Sequence, residues 1–218
     1  MNQPISSLIP AFRQALESMD RLQAENVFQM ALADFKPIDA VEQLVVPALE
    51  QMGDCWHAGN LALSQVYMGG RFCEELVDRV LPPSDPDRKH QPRSAIAVLG
   101  DYHLLGKRIV YSVMRASGFE LFDYGRMDAD ELVQRAIDDN LSVLLISVLI
   151  LPSALKVRKV CAELKARDTG IKVIVGGAPF SFDAQLWQEV GADAVGYNAA
   201  DAVRIVDCWM KEQACKSS

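Results

Sequence analysis

A bundle of helices followed by a doubly wound, five-stranded parallel α/β sheet is the architecture this sequence predicts. Three observations predict it. Apolar residues recur at the 3.6-residue helical period through residues 1–81. A stretch rich in proline and charge, "LPPSDPDRKHQPR", then interrupts the pattern and places a linker at 82–93. From 94 to 218 short apolar runs alternate with amphipathic helices, as β-α units do.

Four helices account for the first segment. Ile5, Leu8, Ile9, Phe12 and Leu16 mark one stripe, and Leu22, Val27, Met30 and Leu32 a second. Pro37 ends that second segment and suits the first turn of the next helix, where a missing N–H is no loss. Val41, Leu44, Val45, Leu49 and Met52 mark the third helix, and Leu63 to Val80 the fourth. Brief connections between such helices indicate a four-helix bundle.

In the second segment "SAIAVLG", "FELFDYG", "LSVLLISVLI", "IKVIVGG" and "ADAVG" read as strands. Between and after them "KRIVYSVMRASG", "DADELVQRAIDDN", "SALKVRKVCAELKARDTG", "FDAQLWQEVG" and "AADAVRIVDCWMKEQ" read as helices. The run "LSVLLISVLI" has the continuous apolar character of a strand covered on both faces. In sheets of this kind ligands bind beyond the carboxyl ends of the strands. Asp101, His103, Ser147, Ser153 and the pair Gly176-Gly177 all fall at or just past such ends, although they lie far apart in sequence.

Composition narrows the function classes. The 218 residues are 50% hydrophobic and 23% charged, an ordinary globular balance. A net charge of −7 argues against nucleic acid or an anionic membrane as partner. No apolar run approaches the ~20 residues of a membrane span. The N-terminus lacks the basic and apolar regions of a secretory signal. Five scattered cysteines without a C-x-x-C pair signal neither zinc nor a disulfide framework, and fit reduced thiols in the cytoplasm.

Three motifs remain. Asp101-x-His103-x-x-Gly106 leaves the first strand of the sheet. In an extended loop residues i and i+2 point the same way, so the Asp101 carboxylate can accept from the His103 Nδ1–H. That would fix the tautomer and leave Nε2 as acceptor or ligand. Gly106 lets the backbone turn tightly into the following helix. One histidine cannot hold a bare metal ion, since structural zinc takes four ligands. It serves if a macrocycle fills the metal's other positions. Taken alone, His103 also reads as a surface or capping residue, Gly176-Gly177 as a tight turn, and Ser147 as a strand-end residue satisfied by backbone. Neither "VLGDYHLLG" nor "VIVGGAPF" matches G-x-G-x-x-G, so a dinucleotide site is not supported.

Asp101-Tyr-His103-Leu-Leu-Gly106, Ser147-Val-Leu149 and Gly176-Gly177 occur in that order on the expected elements. In this the second half resembles the cobalamin-binding domain of methionine synthase and of the corrinoid proteins of methyltransferase systems. Their signature is D-x-H-x-x-G, then S-x-L, then G-G. "GADAVGYNAADAV" is similar to the family's last strand and helix. The first half, chiefly "MGDCWHAGNLALSQVYMGGRFCEEL", resembles the helical cap that covers the upper face of the corrin. Leu63, Tyr67 and Met68 are candidates for that face, and equally for the bundle core. Leu104 stands where relatives commonly carry an acid, and Leu151 where methionine synthase has threonine.

The resemblance implies that cobalamin is the cofactor and that His103 is the lower axial ligand of its cobalt, in place of dimethylbenzimidazole. Asp101 with Ser153 would form the hydrogen-bonded relay behind the histidine, next to Gly106. The displaced nucleotide tail would enter a slot lined by Ser147, Leu149, Gly176 and Gly177. It further implies a methyl carrier alternating between Co(I) and methyl-Co(III), with no catalysis on substrate by this chain alone. Its expected partners are a substrate:corrinoid methyltransferase, a corrinoid:tetrahydrofolate methyltransferase and a reductive activase. A TIM-barrel methyltransferase takes ~250 residues by itself, more than this chain has. The alternative is a cobalamin-dependent regulator or light sensor without its own DNA-binding domain. A small subunit of an adenosylcobalamin mutase lacks such a bundle, and a flavodoxin-like domain without corrinoid is the remaining reading.

Overall fold

The structure, a computed structural model, describes residues 4–80, 91–102 and 104–216, with the side chains of 213–216 excepted. Most of the expected 82–93 linker lies outside the described residues, and 91–93 are neither helix nor strand. Two compact units emerge, residues 1–90 with 112–120 and 198–200, and residues 91–111 with 121–197 and 201–218.

In the first unit a 3₁₀ turn, Ile5–Leu8, leads into α1 (Ile9–Glu17), which buries Phe12, Ala15 and Leu16. Helix α2 (Arg21–Asp34) starts at Asp20, whose carboxylate accepts the Gln23 N–H at 3.0 Å and so satisfies an orphan amide. Its buried face differs from the stripe read in the sequence. Ala24, Val27, Phe28 and Ala31 point inward, while Leu22 and Met30 are 71% and 56% exposed. The true face has i, i+3, i+4, i+7 spacing, but alanine fills two of its four positions, so the larger residues outside it gave the misleading stripe.

Pro37 opens α3 (Pro37–Ala40), as its position predicts. The chain continues through a π turn, Val41–Val45, into α4 (Val46–His57). The third helix is therefore present but irregular, and Pro47 supplies the reason. Proline has no N–H and its ring meets the carbonyl four residues back in a regular helix. Here the Val46 N–H bonds the Val41 carbonyl, five residues back, and the widened turn accommodates Pro47. Helix α5 (Leu63–Val80) approaches α4 closely at Gly69, where an added Cβ would stand 2.9 Å from Met52 Cε.

The second unit holds β1 (Ser94–Leu99), α6 (Leu105–Ala116), β2 (Leu121–Met127), α7 (Ala129–Asp138), β3 (Val143–Ser147) and α8 (Leu151–Ala166). It continues with β4 (Lys172–Gly176), α9 (Ala178–Phe182), α10 (Leu186–Glu189), β5 (Ala194–Gly196) and α11 (Ala199–Lys216). All pairings are parallel and the strand order is β2-β1-β3-β4-β5. Every residue of β1 is buried, as a central strand covered on both faces requires. One core face joins Ala95, Ala97 and Leu144 of the sheet to Leu132, Val157 and Val160 of α7 and α8. The last turn of α6 and residues 198–200 group with the first unit, where Arg115 is buried between Asp78, at 2.7 Å, and Glu120.

Three expected elements change. Strand β3 ends at Ser147 instead of running to Ile150, because the ladder lasts only through the Val148 amide and the Leu149 amide turns to the Asp101 carboxylate. The helix expected over 182–191 shortens to α10, since α9 ends at Phe182 and Asp183, whose backbone is extended, separates the two. Strand β2 carries a bulge: Ile96 pairs with Asp123 and Ala97 with Gly125, leaving Tyr124 as the extra residue. The Tyr124 hydroxyl donates to Asp139 at 2.5 Å, and burial together with that bond pushes its pKa up. No helix among the described residues is long and apolar enough to cross a membrane.

Candidate functional site

The strand order reverses between β1 and β3, the place where open α/β sheets leave a crevice beyond their carboxyl ends. Three separate segments of chain meet there. Asp101, two residues past β1, is only 3% exposed, and its Oδ2 accepts the Leu149 N–H at 2.9 Å. Ser147, at the end of β3, is in register with Val98 on one side and Gly176 on the other. The Val148 N–H donates to the Gly176 carbonyl at 3.1 Å, which carries the β3–β4 pairing one residue past the strand.

The glycines then close the floor. Gly177 has φ +116°, and a Cβ added there would lie 1.8 Å from the Val148 carbonyl oxygen. At Gly176 it would lie 2.9 Å from the Gly196 carbonyl oxygen. Gly106 stands in the first turn of α6, and among the described residues an added Cβ would meet Ser147 Oγ, at 3.4 Å. Ser153, buried near the start of α8, donates from Oγ to the Gly100 carbonyl at 3.2 Å, one residue before Asp101. His103 lies outside the described residues. So the structure brings Asp101, Gly106, Ser147, Leu149, Ser153, Gly176 and Gly177 to one rim, and Leu149, a residue 42% exposed, takes part through its amide.

Sequence reasoning passed over four participants. Val148, the unremarked middle of Ser-x-Leu, supplies the carbonyl against which Gly177 is fitted. Met127, the last residue of β2, accepts the Gly100 N–H at 2.9 Å. Lys107, 3% exposed, pairs with Asp123 of β2. A signal for Lys107 was available: a lysine in the first turn of a helix opposes the dipole and asks for a reason. In the helical unit Leu63 and Tyr67 are half-buried and Met68 is 46% exposed, so none belongs to the bundle core.

The rim combines glycines with exposed apolar side chains. Side chains are missing at 106, 176 and 177, where a Cβ would narrow the gap or strike backbone. Tyr102, Leu105, Leu149, Ile150 and Leu151 leave apolar surface exposed at this rim, as a site for an apolar ring face does. Among the described residues no group of three or more His, Cys, Asp or Glu side chains could hold a metal ion.

Fold and crevice together define an α/β domain with a crevice at its switch point, where ligands of such sheets bind, and a helical companion unit. Residues 95–206 match the B12 binding domain family, and residues 8–81 match a second B12 binding domain family. The chain belongs to these B12-binding corrinoid proteins, and cobalamin is its cofactor. It is 30% identical over 207 residues to the trimethylamine corrinoid protein of Methanosarcina barkeri, covering 90% of this chain and 93% of that one. To monomethylamine corrinoid protein 2 of the same organism it is 27% identical over 212 residues, 92% and 96% of the two chains. A cobalamin-binding protein from Desulfitobacterium hafniense DCB-2 has a similar structure, with TM-score 0.77 and 25% identity over 92% of this chain and 98% of that one.

Proposed function

We propose that this chain is a corrinoid methyl carrier, passing a methyl group between a substrate-specific methyltransferase and a second methyltransferase that uses tetrahydrofolate. The observation that carries the reading is the meeting of the Asp101, Ser147 and Gly176 segments at one crevice. The similarity to methylamine corrinoid proteins over nearly the whole chain supports it. When bound, cobalamin supplies the cobalt centre that takes up and gives up the methyl group.

The chain's own residues would hold and orient that group. His103 would offer Nε2 as a ligand to the cobalt, with Asp101 accepting from its Nδ1–H and fixing the tautomer. Asp101 is held for this by the Leu149 amide, and Ser153 braces the preceding carbonyl. The slot between Gly106, Ser147 and Gly176-Gly177 would admit the nucleotide tail. Residues 1–81 would act as the cap, 82–93 as the linker and 94–218 as the cofactor domain. A reductive activase would be the third partner. The four cysteines whose side chains are described are free thiols, which suits a cytoplasmic setting.

The test is methyl transfer by full-length protein loaded with hydroxocobalamin, followed by visible absorption, with the two methyltransferases and the reducing system omitted one at a time. Transfer should require all of them. Methylation from substrate by this chain alone would overturn the carrier reading. Specific DNA binding that changes with cobalamin form or light would replace it with the regulator.

A further inference from the structure

The segment that carries the Asp-x-His-x-x-Gly motif is fastened to the edge strand β2 at both ends. At its start the Gly100 N–H donates to the carbonyl of Met127, the last residue of β2, at 2.9 Å. At its end the Lys107 ammonium pairs with the carboxylate of Asp123, four residues earlier on the same strand. Asp123 is itself fixed, since its Oδ1 also accepts the Gly125 N–H at 2.8 Å. Gly125 has φ +67° and lies at the bulge where the β1–β2 register shifts.

Lys107 is an unfavourable choice for stability alone. A cation in the first turn of a helix faces the positive end of the helix dipole. A buried ammonium also loses its hydration, and an apolar residue of similar volume commonly serves a core at least as well. What the lysine adds is a directional tie to one carboxylate, on the strand whose end already holds Gly100. The middle of the segment is tied separately, through Asp101 to the Leu149 amide beyond β3.

We propose that Lys107 and Asp123 are a positioning pair for cobalamin binding. By holding residue 107 as Met127 holds residue 100, β2 sets where Asp101, His103 and Gly106 stand relative to the crevice. The proposal rests on the reading of His103 as the cobalt ligand. The two partners are unequal in burial: the Asp123 side chain is 42% exposed and that of Lys107 only 4%. Lys107→Met therefore leaves no buried charge unpaired, because Asp123 is solvated, and it keeps most of the buried volume.

Full-length wild type, Lys107→Met, Lys107→Arg and Asp123→Asn, grown with isotope-labelled histidine, are loaded with hydroxocobalamin and purified as folded monodisperse protein. Two quantities are read after reduction to Co(II): the fraction of cobalt with histidine hyperfine coupling by EPR, and the cobalamin retained on dilution. Lys107→Met should lower the coupled fraction at least fivefold and weaken retention about tenfold, and Lys107→Arg should restore most of both. Asp123→Asn should move both in the direction of Lys107→Met, and it decides the matter if Lys107→Met does not fold. A merely structural pair would change the melting temperature yet leave the coupling of the folded, loaded fraction as in wild type, and that result overturns the proposal. Absence of histidine coupling in wild type would overturn the His103 reading instead. Retention then judges the pair: unchanged retention in Lys107→Met and Asp123→Asn overturns it, and weakened retention upholds it.

Discussion

Two arms of the crevice reach the same end by opposite means. The arm after β1 is positioned by what its side chains hold: Asp101 on the Leu149 amide, Ser153 on the Gly100 carbonyl, Lys107 on Asp123. The arm after β4 is positioned by what its residues lack, since Gly176 and Gly177 let backbone lie against the Gly196 and Val148 carbonyls. A side-chain tie can be weakened by degrees, because water or a neighbour replaces part of a lost hydrogen bond. A backbone approach closer than contact distance has no graded failure. The two arms should therefore respond to substitution on different scales.

Gly177→Ala should show the largest effect. Its φ of +116° with ψ 175° belongs to a region that only glycine occupies readily, which alone costs an alanine about 1–3 kcal/mol. The added methyl would also stand 1.8 Å from the Val148 carbonyl oxygen, and that strand end is bonded to Gly176 and cannot recede without breaking the ladder. The second unit should lose more than about 3 kcal/mol of stability in total. Chemical denaturation followed by circular dichroism checks this. A near wild-type midpoint in the Gly177→Ala protein would remove the steric account of this arm.

Asp101→Ala should fall between the extremes. It leaves the Leu149 amide without its carboxylate partner at a part-buried site, worth about 1–3 kcal/mol. Asp101→Asn keeps an oxygen acceptor for that amide, so it should recover most of the stability while removing the charge. If cobalt coordination by histidine depends on that charge, the asparagine variant should be stable yet show altered Co(II) spectra. Equal stability in the alanine variant and wild type would show that this arm does not depend on Asp101.

Legibility in the sequence follows the same division. The second unit was readable because a parallel sheet enforces its own pattern: strands near-continuous in Val, Leu and Ile, and loops at fixed places on the rim. Its motifs were readable because chemistry limits which residue can stand at positions 101, 106, 176 and 177. The strand ends were less so, since β3 stops at Ser147 through bonds from distant residues that no local pattern encodes. The helical unit lost most at α2, where small alanines form the buried face and periodicity of large residues pointed elsewhere. The irregular third helix carried its signal in Pro47, which reads as a helix breaker only once the helix is known to continue through it. Lys107 was invisible to apolar periodicity because it is a charged residue doing a buried residue's packing.

The smallest effect, and the one with opposed signs, is expected at Gly106. It is a glycine in the arm otherwise set by side chains, yet its backbone is helical and its φ is not positive. Among the described residues an alanine there meets Ser147 Oγ, at 3.4 Å, which a serine rotamer can accommodate. In a helix alanine is favoured over glycine by about 0.5–1 kcal/mol. Gly106→Ala should therefore leave the cobalamin-free protein as stable as wild type or slightly more so. The same methyl narrows the gap between α6 and the end of β3, where the nucleotide tail would enter, so cobalamin retention should weaken several-fold. Melting of the cobalamin-free protein and equilibrium dialysis with hydroxocobalamin measure the two halves separately. A stable variant with undiminished binding would show that the tail does not pass between Gly106 and Ser147. A destabilised one would place Gly106 with Gly177, as a position set by backbone contact.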